Sequence, residues 1–213
     1  MKIAILAFDG ITALDAVGPY EVLQRLPQAE VVLVGETTGL KRTDTKSLAI
    51  NADRSIAEVT SADILIVPGG FGEEQVREKP AMLEWVRKID KTTTWTTSVC
   101  TGALILGAAG LLDGLKATTH WAALNQLARF GAIPTSERVV EQGKIITAAG
   151  VSAGIDMALH LARRISGDTI AQAIQVGIEY DPQPPFDGSS KRAPEPVMAI
   201  LRELYTRRGL LTQ

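Results

Sequence analysis

The chain has 213 residues, 46% of them hydrophobic and 22% charged, with a formal net charge of −2. That length supports one domain with a substantial core, and with no basic block nothing favours nucleic-acid binding. A single cysteine excludes an internal disulfide, and beside only two histidines it is poor material for a metal site such as zinc.

The opening "MKIAILAFDG" meets Asp9 and Gly10 too soon for a secretory signal or a membrane span, so a cytoplasmic setting with no membrane partner is expected. "KIAILA" (2–7), "AEVVLVG" (29–35) and "ADILIVPGG" (62–70) read as strands apolar on both faces. "TTTWTTSV" (92–99) is a fourth strand, rich in β-branched residues, and "GKIITAAG" (143–150) a fifth. Helical patterns lie between them at 12–26, at 73–89 with an interruption at Pro80, and at 101–112. Further helices are expected at 121–130, 152–166, 169–180 and 195–208. Segment 36–61 and the "VVEQGK" turn (139–144) fit short antiparallel additions. Strand and helix alternate, which predicts a doubly wound, mainly parallel α/β sheet with helices on both faces. "DPQPPFDGSSKRAP" (181–194) reads as an extended arm before the last helix, too short to separate a domain, so residues 1–213 form one expected domain.

In such a sheet, ligand sites gather at the carboxyl ends of strands. "PGG" (68–70) stands at one such end, where the backbone N–H groups of Gly69 and Gly70 either face a substrate or form an ordinary tight turn. Cys100 in "VCTG" falls where a β-branched run gives way to a helix of small residues. It is either a buried, inert thiol or a nucleophile on a sharp turn, with the helix N-terminus stabilising its thiolate. On the second reading, alkylation by iodoacetamide at neutral pH is fast and stops at one site, whereas sluggish labelling favours the buried, inert thiol. Asp15, among Leu14, Ala16 and Val17, is either a helix cap or a carboxyl in a partly dry pocket. Beside a thiolate, a desolvated carboxyl keeps its proton and serves as an acid. His160 reads as a packing residue on a helix, whereas His120 in "KATTHWAAL" follows a short strand and is a candidate for the substrate cleft. "EEQVREK" and "RELYTRR" read as solvated helix faces.

Taken together, "FDG…LDAVGPYEVL", "ADILIVPGGFG", "SVCTGALILGAAGLLDG", "ATTHW" and "SAGIDMALHL" resemble the ThiJ/PfpI superfamily over roughly residues 3–180. The resemblance implies a flavodoxin-like fold related to class I glutamine amidotransferases, an acidic residue approaching a cysteine elbow, and a homodimer. The acid and the cysteine map to Asp15 and Cys100. Protease-like and many glyoxalase-like members carry histidine after the cysteine, and the latter usually have glutamate as the acid; this chain has Thr101 and Asp15. With "GIEYDPQPPFDGS" (177–189), the pattern is most similar to members that hydrate isonitriles, and also to the sensor halves of AraC-type regulators. After the sensor region only one helix is expected before Gln213, too little for a DNA-reading module. The resemblance thus implies a small-molecule isonitrile substrate, Cys100, Asp15 and Thr101 as catalytic residues, and no metal or organic cofactor. The alternatives are a cysteine-dependent glyoxalase or amide hydrolase, and a sensor whose cysteine is oxidised.

Overall fold

The computed structural model describes residues 1–211, so positions 212 and 213 of the expected domain lie outside the described residues. The elements run β1 Lys2–Leu6, α1 Ala13–Leu23, β2 Glu30–Gly35, β3 Gly39–Arg42, β4 Ala49–Ala52, β5 Arg54–Ser55 and β6 Ile64–Val67. There follow α2 Glu73–Arg77, α3 Pro80–Asp90, β7 Trp95–Val99, α4 Gly102–Ala108, β8 Lys116–Ala117, a 3-10 helix Trp121–Phe130 and β9 Ile133–Pro134. The chain continues through β10 Val139–Gln142, β11 Ile145–Ala148, α5 Ala153–Gly177 and α6 Glu195–Arg207.

Seven strands form one sheet in the order β10-β11-β7-β6-β1-β2-β5, and every neighbouring pair is parallel except β10 with β11. Within it β2, β1, β6, β7 and β11 follow the 2-1-3-4-5 order of flavodoxin-like sheets. All four residues of β6, "ILIV", are buried, as are Ile3 to Leu6 of β1. Strands apolar on both faces require cover on both, and α1 packs with α5 while α2 and α3 pack with α4. Ile66 lies at the centre of this arrangement with no exposed surface. Ile66→Ala is expected to cost about 2–5 kcal/mol, read as a lower urea midpoint at unchanged slope.

Strand β7 carries threonine where its neighbours carry aliphatics. The β-branched shape suits a central strand, and the buried hydroxyls of Thr96 and Thr97 donate to Asp90 Oδ1 (2.7 Å) and to the Leu65 carbonyl (3.1 Å). The antiparallel additions are present as the β3–β4 hairpin and the β10–β11 hairpin. Sequence reading missed β5, whose two residues extend the sheet edge beside β2; so short a strand has no periodicity.

Several helix boundaries differ from expectation. Pro80 opens α3 at its first turn, where a missing N–H costs nothing, and so divides 73–89 into two helices. Helix α4 stops at Ala108 rather than 112, followed by Gly110 at φ +78. Residues 121–130 are 3-10 rather than α-helical. The expected helices at 152–166 and 169–180 meet in α5 at Gly167, whose φ of 81 and ψ of 172 are non-helical. Residues 178–194 then form neither helix nor strand before α6. Among the described residues, no helix is long and apolar enough to cross a membrane.

Candidate active site

The loops leaving β1, β6 and β7 at their carboxyl ends bring Asp15, Gly69–Gly70 and Cys100 together in a buried cluster. Cys100 has φ of 57, a left-handed conformation that costs a residue with a side chain about 1–3 kcal/mol. Its backbone is held on both sides: the N–H donates to the carbonyls of Ala148 and Ala149 (both 3.1 Å), and the carbonyl accepts from Thr119 Oγ1 at 2.7 Å. The turn also needs a glycine two residues on, because a Cβ on Gly102 would stand 2.0 Å from the Val67 carbonyl oxygen. Gly102→Ala is therefore expected to displace the elbow, lowering the melting temperature in differential scanning fluorimetry and abolishing any activity that depends on Cys100.

Asp15 lies in the first turn of α1 and is fully buried. It is not the helix cap, a position held by Thr12. Its Oδ2 accepts the Gly69 N–H at 3.0 Å, whereas Oδ1 has no well-formed bond among the described residues; the Cys100 thiol is the polar side chain beside it. Burial raises the carboxyl to about 7, against the lowering influence of the Gly69 N–H and the thiol. The charge of Asp44 adds a smaller repulsion, and Asp44 itself accepts from Thr12 Oγ1 at 2.8 Å.

The expectation of a thiolate stabilised by the helix N-terminus is corrected here. Burial, followed by the charge of Asp15, pushes the Cys100 thiol well above its ordinary range, against the Thr101 backbone N–H and hydroxyl, which favour the anion. A helix as short as α4 does not offset desolvation of a sulfur that is only 5% exposed. Two adjacent anions are excluded at neutral pH; the thiol keeps its proton there, and Asp15 gives up its own as pH rises through about 7. Fast labelling at neutral pH is accordingly replaced by a different expected result. Iodoacetamide modification of Cys100 should be slow at pH 7 and rise about tenfold per pH unit above it, followed by intact-protein mass. A rate already at plateau at pH 7 would contradict this placement of the proton.

The glycines expected to contact substrate have their N–H groups committed within the chain. Gly69 donates to Asp15, and Gly70 donates to Thr101 Oγ1 at 3.0 Å. Gly70 adopts φ +134, and a Cβ on it would meet the Gly10 carbonyl oxygen at 2.3 Å. A Cβ on Gly69 would meet Thr101 N at 2.5 Å. Their absent side chains let the loops after β1, β6 and β7 touch. Thr101 is 2% exposed and its backbone N–H is directed at the sulfur. Thr101→Val would strand the Gly70 N–H, costing about 1–3 kcal/mol of stability measured by chemical denaturation.

His120 is buried at the start of the 3-10 helix, where its Nδ1 accepts the Ala122 N–H at 3.3 Å. Burial lowers it to about 4, so it is a neutral ring at physiological pH. Its neighbour Thr119 binds the Cys100 carbonyl, which places this segment beside the elbow. His120 contacts the rings of Trp121 and Tyr205, at centroid distances of 5.6 and 5.1 Å. Tyr205 belongs to "RELYTRR", so that stretch is not simply a solvated face. Glu73 of "EEQVREK" is likewise buried, bonded to Arg77 at 2.5 and 3.1 Å. His160 is partly exposed, with Nε2 2.6 Å from Glu141 Oε2, so pairing rather than core packing fixes it. Among the described residues, no group of three or more His, Cys, Asp or Glu is placed to hold a metal ion.

The sequence pattern of the DJ-1/PfpI family matches residues 1–164. The chain belongs to the DJ-1/PfpI family. Among relatives of this family, the isonitrile hydratase of Pseudomonas putida is 41% identical over 204 residues, covering 95% of this chain and 89% of its own. The HTH-type transcriptional regulator CdhR of Pseudomonas aeruginosa is 32% identical over 136 residues, 62% of this chain but only 39% of the regulator. The crystal structure of a ThiJ/PfpI family protein from Pseudomonas syringae superposes with a TM-score of 0.93 at 38% identity, over 97% of this chain and 86% of that one. Drosophila melanogaster DJ-1beta shares the DJ-1/PfpI fold at a TM-score of 0.75 and 20% identity, over 84% of this chain and 97% of that one.

Proposed function

We propose that this DJ-1/PfpI protein is a cysteine-dependent isonitrile hydratase, converting R–N≡C to the N-substituted formamide R–NH–CHO. One observation carries the reading: a lone thiol on a left-handed elbow beside a buried carboxyl held at about 7. Similarity to the Pseudomonas putida hydratase over nearly the whole chain supports it.

The terminal carbon of an isonitrile accepts both a nucleophile and a proton, so it needs a thiol and an acid–base group at the same atom. Asp15 as carboxylate takes the proton from Cys100 while sulfur bonds to the carbon, then delivers that proton to the same carbon. The product is the thioimidate R–N=CH–S–Cys100. Water adds across C=N, its oxygen bonding to carbon and its proton passing through Asp15 to nitrogen. The C–S bond then breaks, the hydroxyl proton returns to sulfur, and the formamide leaves. The Thr101 N–H faces the sulfur where negative charge develops as the thiol is deprotonated.

The test is incubation of purified protein with cyclohexyl isonitrile, with the formamide followed by its absorbance, beside a parallel incubation with methylglyoxal. Formamide with no lactate is expected. Lactate with no formamide would replace the hydratase by the glyoxalase reading. The resemblance also implies a homodimer, and Leu14 and Val17, each about 40% exposed on α1 beside Asp15, suit such a contact. Light scattering at micromolar concentration is expected to give the mass of two chains; the mass of one would contradict it.

A further inference from the structure

The thiol is nearly inaccessible, and the far end of the sequence packs on the two segments that flank it. We propose that Tyr205 on α6 is the specificity-determining residue of this site, its ring closing the space over Cys100 and limiting the bulk of the isonitrile substituent. The inference rests on the hydratase reading above.

Helix α6 has no buried residue, and its ion pairs, Arg202 with Glu195 and Arg207 with Glu203, are internal to the helix. Among the described residues it is fastened at its carboxyl end, where Leu210 packs against the core and further contacts reach the site. The Tyr205 ring meets His120 and Trp121 edge-on at centroid distances of 5.1 and 5.5 Å. The Arg208 guanidinium sits 4.8 Å above the Phe71 ring, and Gln126 Nε2 donates to the Leu210 carbonyl at 3.3 Å. Two of these anchors adjoin residues that hold the elbow. Phe71 follows Gly70, whose N–H holds Thr101; His120 follows Thr119, whose hydroxyl holds the Cys100 carbonyl. The end of α6 therefore bridges the two segments that flank the nucleophile. Tyr205 is the residue of this bridge that meets His120, the neighbour of the Thr119 that holds the elbow.

A substrate reaches a sulfur 5% exposed only when something moves. An element with no buried residue, tethered by the exposed, proline-rich stretch at 181–194, opens at the lowest cost among those around the site. On reclosing, the ring of Tyr205 meets the substituent. The aromatic surround of Tyr205, His120 and Trp121, with His120 neutral, suits an apolar R group rather than a charged one.

The experiment compares wild type with Tyr205→Ala, Tyr205→Phe and Tyr205→Trp on isopropyl and adamantyl isonitrile. Tyr205→Ala is expected to shift the ratio of kcat/KM toward the adamantyl substrate by about tenfold or more. Tyr205→Phe should keep the wild-type ratio, and Tyr205→Trp should move it the other way. Cys100 is labelled in parallel at pH 8.5 with iodoacetamide and with N-(1-pyrenyl)maleimide. Tyr205→Ala should accelerate the pyrenyl reagent about tenfold more than the small one. If wild type turns over no isonitrile but the labelling ratio shifts as stated, the hydratase reading falls and the gating role of Tyr205 stands. Equal ratios for all four proteins with both pairs of probes, or equal acceleration of both reagents by Tyr205→Ala, would overturn the proposal.

Discussion

Cys100→Ala and Cys100→Ser are expected to lose formamide production by about 10⁴-fold or more while remaining folded, since removal of a covalent nucleophile has effects of that order. Serine is no rescue. Its hydroxyl is far less acidic than a thiol, and Asp15 at about 7 is too weak a base to take its proton. The folded state should be little affected, because the elbow is held by backbone bonds to Ala148, Ala149 and Thr119 that do not involve the sulfur. Melting temperatures close to wild type with no turnover are thus the expected pair of results. Near-normal turnover by either variant would remove the thioimidate from the mechanism.

Asp15→Asn has the second largest expected effect, a loss of about 10²–10⁴-fold in kcat/KM, typical of an acid–base group. The wild-type rate should climb with pH as Asp15 ionises near 7 and then level, because the singly ionised pair is the reactive form; the variant should lack this limb. Stability should move the opposite way from activity. The folded carboxyl is raised from 3.8 to about 7, so its contribution is fully present below pH 4 and is lost as pH rises through 7. At about 1.4 kcal/mol per unit, that is on the order of 4 kcal/mol given up by the wild type between those limits. Asp15→Asn escapes this loss, and its amide oxygen still accepts the Gly69 N–H. A variant inactive at pH 7 yet melting no lower than wild type is the expected result; a fully active one would end the proton-transfer role. Asp15→Glu keeps the acid but shifts it by a methylene, so it should retain only part of the activity.

The sheet was legible because Ile3–Leu6 of β1 and all of β6 are short apolar runs, the second ended by Pro68, and parallel strands buried on both faces leave that trace. Cys100 and Asp15 were legible from their places after strands. Their protonation was not, since the raised thiol depends on burial and on Asp15, neither visible in "VCTG". Gly69 and Gly70 drew attention for N–H groups expected to face a substrate, but which acceptor each N–H finds depends on tertiary approach of Asp15 and Thr101. Tyr205 was hidden among charges in "RELYTRR", because helical periodicity shows which residues share a face but not which face settles on a distant aromatic pair. Thr119, a polar residue in a loop, carried no periodic signal at all.

In the proposed reaction Cys100 bonds to the isonitrile carbon and water releases the product. The most direct measurement is intact-protein mass spectrometry on samples acid-quenched within milliseconds of mixing with isonitrile in water enriched in oxygen-18. A transient mass increase equal to one whole isonitrile molecule is expected on the peptide containing Cys100, decaying as formamide carrying one heavy oxygen appears. Formamide forming at the wild-type rate with no adduct on Cys100 at any time would contradict it.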